Sequence, residues 1–342
     1  MSPILPNAPA VNPPEPALAA MSTEPSPIRE FLRKRGSGRV ADNSFAAVML
    51  ICACSIFAIV FFIFGILVIH SRPSLAAFGW KFFTRSAWDP VSGDFGALPF
   101  IFGTLATSLL ALCMAVPLAL GVAVFLTELC PRPLRAPISF LTELLAAIPS
   151  VVYGLWAVFV LVPLMRDPIG PFLVKTLGWT GLFSGANFGV GLLTASIILS
   201  IMILPIISSL TRDIMTAVPN SQREAVLALG ATRWEMIRIG VLRNSRIGIV
   251  GAIMLGLGRA LGETMAVTMV IGNHPDIGKS LFAPANTLAS VIAGEFSEAT
   301  TDIYLSALIE IGLALFLVTI VVNAIARLMV WAVTRGAPTQ VH

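Results

Sequence analysis

Residues 97–126 read ALPFIFGTLATSLLALCMAVPLALGVAVFL, thirty consecutive positions without one Asp, Glu, Lys or Arg. A helix crosses the hydrocarbon of a bilayer in roughly 20 apolar residues, so this run is long enough to span. Five further runs share the property, at 45–69, 144–165, 188–210, 247–271 and 303–326. Charge enters them only in the fifth, as Arg259 and Glu263, and in the sixth, as Glu310. Strict two-residue alternation, the mark of a membrane barrel, is absent, so helices must satisfy the backbone internally. The pattern predicts an all-α, polytopic membrane protein with six transmembrane helices. Composition agrees: 12% of residues are charged, 56% are hydrophobic and the mean hydropathy is +0.89, whereas soluble chains carry roughly 25% charge. Two soluble domains, which 342 residues permit by length, are excluded.

The distribution of Lys and Arg orients the spans. With both termini on one side, that side holds fifteen of the 22 basic residues and the other holds six. The fifteen comprise Arg29, Arg33, Lys34, Arg35 and Arg39, then Arg132 and Arg135, six between the fourth and fifth spans, and Arg327 and Arg335. The six are Arg72, Lys81, Arg85, Arg166, Lys175 and Lys279, and Arg259 completes the set. Both termini are expected to be cytoplasmic. The net charge of +4 is then a topology signal and calls for no nucleic-acid partner.

Three regions follow. Residues 1–40 are expected to be a disordered, Pro-rich cytoplasmic tail, with eight prolines in the first 28 positions and no periodicity. Residues 41–96 hold the first transmembrane helix and an outer loop. Residues 97–335 form the transmembrane core, with a cytoplasmic loop at 211–246. Arg33-Lys34-Arg35 ahead of an apolar run has the look of a signal peptide, but the run is long and no small-residue cleavage site follows, so a retained anchor is expected. Cys52, Cys54 and Cys113 lie in apolar helices, and Cys130 at a boundary; none has metal or redox spacing. No metal site and no catalytic residue is expected. The segment ending in Gly278-Lys279-Ser280 mimics a phosphate-cradling loop, but five residues separate its glycines where four are needed, and it follows a membrane helix.

The loop at 211–246 carries two helix-start patterns. Ser221-Gln-Arg-Glu224 has the form of a capping box, preceded by Pro219. Ala225, Val226, Ala228 and Leu229 follow, then Gly230, suited to a left-handed C-terminal cap. Thr232-Arg-Trp-Glu235 repeats the capping pattern and opens a second short helix through Ile239. Two tethered helices between spans suit a shaped plug for a groove on a partner, or an amphipathic element on the membrane surface, far better than duplex docking.

Glu224-Ala225-Val226, three residues, then Gly230 resembles the EAA loop of ABC-importer permeases, and its place before the penultimate span fits. Val226 stands where that motif has alanine, and Leu242-Arg243 where Leu-Pro is common. Leu144-Leu-Ala-Ala-Ile-Pro-Ser-Val-Val-Tyr-Gly-Leu-Trp156 and Gly256-Leu-Gly-Arg-Ala-Leu-Gly-Glu-Thr-Met265 are similar to the phosphate-specific (Pst) permeases, the tail and first outer loop being closer to the C-type subunit. The resemblance covers roughly residues 40–335. It implies a type I ABC-importer permease fold in a bacterial inner (plasma) membrane, with cytoplasmic coupling helices. It also implies that Glu224, Ala225 and Gly230 couple the chain to a separate ATPase. The implied partners are an A-type second permease subunit, two ATPase subunits, an extracytoplasmic phosphate-binding protein and membrane lipid. ATP and Mg are expected on the ATPase, and no cofactor on this chain.

Arg259 lies twelve residues from either end of the fifth run, so it is expected near the bilayer centre. There an arginine costs at least about 2.5–3.5 kcal/mol on insertion scales and should face protein or water. Glu263, four residues on, is expected on the same helical face, able to pair with it. Two readings stand side by side: a structural ion pair, and a substrate pathway in which Arg259 offers its planar fork to an oxyanion while Glu263 restrains it. Glu310 is a second buried carboxylate and a candidate partner for Arg259, or, lying near the outer end of its span, a water-exposed one. The expected function is a permease subunit of an ATP-driven phosphate importer. Permeases for molybdate or sulfate, an ion-coupled secondary transporter and a non-transporting scaffold are the rivals.

Overall fold

The computed structural model describes residues 39–334, and these form helices and loops with no strand among them. The expected tail therefore lies outside the described residues up to position 38, as do Arg335 and His342. The chain divides into two units inside the first helix, one ending at Phe61 and the other starting at Phe62.

Six helices are long and apolar enough to cross a membrane. They are α1 (Arg39–His70), α3 (Leu98–Val124, wound on as a π-helix over Phe125–Leu129), α5 (Ser150–Thr180), α6 (Leu192–Thr216), α8 (Arg233–Gly262) and α11 (Asp302–Thr334). Shorter helices join them: α2 (Arg72–Phe78), α4 (Arg132–Ala147), α7 (Asn220–Ala228), α9 (Met265–Thr268) and α10 (Leu288–Glu295). Since the spans run up and down, α7 lies at one end of the bundle and the segments around α2, α9 and α10 at the other.

Two spans depart from the hydropathy reading, each for a local reason. The third begins at Ser150 and not at 144, because Ile148 and Pro149 are extended, with ψ of 130° and 140°. Proline lacks an N–H to donate and drives the residue before it out of helical conformation. What precedes is the separate amphipathic helix α4. The fifth starts at Arg233 and stops at Gly262, where Glu263 turns extended at φ −71°, ψ 127°. Its early start reflects a π-helical stretch, Met236–Leu242, which carries the loop's second helix into the span without a stop. The expected short helix ending at Ile239 is therefore the first part of α8.

α6 is the centre of the bundle, with 72% of its most apolar window buried. Facing it, α3 presents Ala111, Ala115, Ala119 and Ala123, all fully buried and four residues apart. Such a stripe of small residues lets two backbones approach, and close packing replaces the hydrophobic drive that lipid does not supply. Leu199, Met202, Ile203 and Ile207 fill the other side. Two hydroxyls of α3 are satisfied by their own helix, Thr104 donating to the Phe100 carbonyl at 2.8 Å and Thr107 to Gly103 at 2.7 Å, whereas the buried Ser108 hydroxyl has no hydrogen-bond partner among the described residues. At the end away from α7, Phe82, Trp88, Phe95 and Phe100 pack on Tyr304, Leu308 and Ile311. The Trp88 indole and the Tyr304 hydroxyl both donate to one oxygen of Glu295, at 2.8 and 2.7 Å.

Ala115→Leu should force α3 and α6 apart. Overpacking of this kind costs about 1–3 kcal/mol, and a lower unfolding temperature of the detergent-purified protein, unmatched by Leu118→Ala on the exposed face, is the expected measurement.

Candidate functional site

Two regions hold the residues singled out in the sequence, one at each end of α8.

The first is the turn around α7. Its helix begins at Asn220 behind Pro219, with no side-chain cap, so the expected Ser221–Glu224 capping box does not form. Proline at φ −59° already sets the entry, and Ser221 falls inside the first turn where its hydroxyl has no cap to make. The second box does form: Thr232 accepts from the Glu235 N–H at 3.3 Å, and Glu235 accepts from the Thr232 N–H at 2.8 Å. Gly230 sits between the two helices at φ +83° with open space where a Cβ would be, so only backbone conformation demands glycine there. Glu224, Ala225 and Gly230 are all exposed. A cleft of about 410 Å³ lies beside them, lined by Val226, Leu229, Gly230, Ala231, Glu235 and Ile239. Leu229 is 88% exposed and Trp234 62%, so the tip offers apolar side chains to whatever covers it.

Sequence reasoning missed what anchors this turn. Arg223 donates through Nε and Nη2 to Glu128 Oε1 at 3.2 and 3.0 Å, and through Nη2 to the Met215 carbonyl at 2.9 Å. Its Nη1 donates to the Val218 carbonyl and to Asn220 Oδ1. Both charges are largely shielded, at 16% and 9% side-chain exposure. Asn244 adds a tie from α8, donating to Gln222 Oε1 at 2.8 Å. The only signal for the Arg223–Glu128 pair in the chain is a lone carboxylate where α3 leaves the apolar run, 95 positions from its partner.

The second region is the far end of α8. Arg259 occupies its last turn and not the middle of a continuous span as expected. A cation there is favoured by the partial negative charge of the helix terminus, by about 0.3–1 kcal/mol. Because α8 ends at Gly262, Glu263 leaves the helical face, and no ion pair joins it to Arg259. Among the described residues the Arg259 guanidinium has no hydrogen-bond or ion-pair partner, and the side chain is exposed. Its charge reaches Tyr153 of α5, whose hydroxyl donates across the Ile148–Pro149 break to the Leu145 carbonyl at 2.8 Å. Gly154 brings the two breaks together: a Cβ on it would meet Met269 Sδ at 2.5 Å and the Ala266 backbone at 3.1 Å. Thr264 donates its hydroxyl to the Gly262 carbonyl at 3.3 Å.

Glu310 is fully buried, and neither carboxyl oxygen has a hydrogen-bond partner. The water-exposed alternative is therefore wrong, and no contact with Arg259 exists. Its polar neighbour is the Ser74 hydroxyl.

Six spans, a shaped turn exposed between two of them and an unengaged guanidinium where one span breaks define a membrane permease built to work against a partner. The chain belongs to the family of binding-protein-dependent transport system inner membrane components, whose model matches residues 115–335. The phosphate transport system permease protein PstC of Mesorhizobium japonicum is 51% identical over 263 residues, covering 76% of this chain and 80% of its own. PstC of Haemophilus influenzae is 47% identical over 293 residues, covering 84% and 93%. PstC 2 of Mycobacterium tuberculosis is 41% identical over 321 residues, covering 92% and 95%. A solved inward-facing MetNI methionine ABC transporter is similar at 19% identity and a TM-score of 0.45, covering 66% of this chain and 93% of that one. The six spans and the absence of strands among the described residues agree with an inner membrane component of that family.

Gly230→Val should strain the turn by about 1–2 kcal/mol, the cost of a left-handed residue with a Cβ. Faster limited proteolysis at residues 228–234 is the expected readout, while Gly230→Asn, which tolerates that conformation, stays close to the parent protein.

Proposed function

We propose that this chain is one permease subunit of an ATP-driven importer of inorganic phosphate. It pairs with a second, A-type permease subunit, two ATPase subunits bind on the side of α7, and an extracytoplasmic phosphate-binding protein delivers substrate to the other side. ATP and Mg belong to the ATPase, and no bond is made or broken on this chain. The termini and α7 are cytoplasmic, which agrees with the fifteen basic residues on that side. The substrate class follows relatives named for phosphate transport at 47–51% identity.

The observation that carries the reading is the unengaged Arg259 beside two chain breaks. A guanidinium offers five N–H donors in a planar fork that matches an oxyanion, and here all five are free. Glu263, half-buried and displaced from Arg259, sits downstream on the same pathway and repels the anion from resting there. At the other end, Glu224, Ala225 and Gly230 present the face that meets the ATPase, with the apolar Leu229 and Trp234 filling its groove. Apolar anchors ringed by polar groups are what a docking face of this kind needs.

Uptake in proteoliposomes of the assembled transporter tests the substrate. Phosphate and arsenate should compete while sulfate and molybdate do not; competition by molybdate or sulfate at equal concentration would instead favour a permease for those oxyanions. Arg259→Lys should lose most phosphate uptake although it keeps the charge, because an ammonium cannot give two parallel hydrogen bonds. Near-normal uptake would remove Arg259 from the pathway. For orientation, a cysteine at Val91 should react with an impermeant reagent added outside sealed cells and one at Thr232 should not, and the reverse pattern would invert the topology.

A further inference from the structure

The coupling face has to move something, and α7 itself is exposed along most of its length. Inside the bundle its Val226 packs against Met236, Ile237 and Val241 at the start of α8, and its Arg223 reaches α3 and α6. All five N–H donors of Arg223 are used: two on Glu128, one each on the carbonyls of Met215 and Val218, and one on Asn220. These partners belong to three different parts of the molecule. Glu128 lies in the π-helical end of α3, Met215 in the last turn of α6, and Val218 with Asn220 in the corner that leads into α7. The Met215 carbonyl is one of those a helix end leaves without an intrahelical partner; it accepts the Val218 N–H at 3.2 Å and the guanidinium at 2.9 Å, which ties α6 to α3. Asn244 makes the remaining tie, from α8 to Gln222.

We infer that Arg223, clamped on Glu128, is the positioning residue through which displacement of α7 is transmitted to α3 and α6, the two helices packed along the alanine seam. The inference rests on the coupling role proposed for the loop. The clamp is rigid for a physical reason. Two donors converging on one carboxylate oxygen, in a pair shielded from water, hold a defined direction, whereas the same pair in solvent would be screened and slack. Arg223 moves with α7 because it is part of that helix, and Glu128 moves with α3. Neither side chain is hydrogen-bonded to Glu224 or Ala225, whose exposed side chains form the docking face, so loss of the clamp leaves those side chains in place. A partner would still bind and hydrolyse ATP, and the motion would stop at the corner.

The test compares phosphate imported per ATP hydrolysed in the reconstituted full transporter for Arg223→Lys, Arg223→Gln, Glu128→Gln and the Arg223→Gln/Glu128→Gln double variant. Co-purification of the ATPase subunit is recorded for each, and Gly230→Val serves as a second perturbation of the loop. Each single variant should keep the ATPase bound and lower the import ratio by about tenfold, the factor carried by one charge-assisted hydrogen bond. The double variant should be no worse than the poorer single one, since both remove the same link. Three results would overturn the inference: an unchanged ratio in Arg223→Lys and Glu128→Gln, additive losses in the double variant, or loss of the bound ATPase in every variant, which would make the pair a scaffold only. If Gly230→Val also leaves the ratio unchanged, the coupling role of the loop falls with it. If Gly230→Val uncouples while the clamp variants do not, only the clamp is wrong.

Discussion

Hydrocarbon supplies no hydrogen bonds, and each orphaned backbone group there costs several kcal/mol. A chain of this composition must therefore be helical wherever lipid touches it, and any interruption of helix must be covered by protein or water. Two interruptions stand out near the packed bundle, at Ile148–Pro149 and at Glu263–Thr264. They are 115 positions apart, yet the structure brings them together across Gly154, with the Tyr153 hydroxyl bonding back over the first break and Thr264 over the second. Freed backbone groups, a phenol and a guanidinium thus collect in one place. Nothing in the packing of α3 on α6 requires such a cluster, which is the physical argument for reading it as part of a pathway.

The other end of the bundle solves the opposite problem. A turn proposed to dock a partner must be exposed, but force applied to it must not be lost in a flexible loop. Pro219, the left-handed Gly230 and the Thr232–Glu235 capping box remove freedom at three successive corners, each by a local conformational restriction. Beyond them lie two π-helical stretches, Phe125–Leu129 and Met236–Leu242. Winding of this kind is uncommon and concentrates at functional sites. Here one stretch carries Glu128 and the other leads directly into α8. The loop is therefore bonded to the very turns where α3 and α8 depart from regular helix.

Much of this was legible in the chain. Six runs of apolar residues become six spans, and Gly230 takes the left-handed conformation its position suggested. The span ends were less legible. Hydropathy sees apolar runs, and the amphipathic face of α4, with Phe140, Leu141, Leu144 and Leu145, blends into the run that follows it. Glu263 looked like a charge on a continuous helix, because nothing local announces that its backbone is extended. The Ser221 box failed for a related reason: Pro219 had already claimed the helix entry, two residues upstream of the hydroxyl. Arg223 and Glu128 were invisible as a pair because their contact is purely tertiary. Of the candidate site, the residue types were readable and their partners were not.

Arg223 of α7 and Arg259 of α8 make the division of labour plain. A guanidinium has five donors and no acceptor, and it cannot shed its charge. Arg223 has spent all five on fixed protein partners, so binding a ligand would require breaking the corner it holds. Arg259 has spent none, and only the terminal dipole of α8 offsets its charge. That offset of about 0.3–1 kcal/mol falls short of the cost of a desolvated cation. Among the described residues nothing pairs with the exposed Arg259 guanidinium, so its charge is left to solvent. An open fork of this kind is what the proposed phosphate pathway asks of Arg259, whereas a permanent carboxylate partner would occupy it. The displacement of Glu263 from the α8 face, which removed the expected ion pair, is what leaves the fork open.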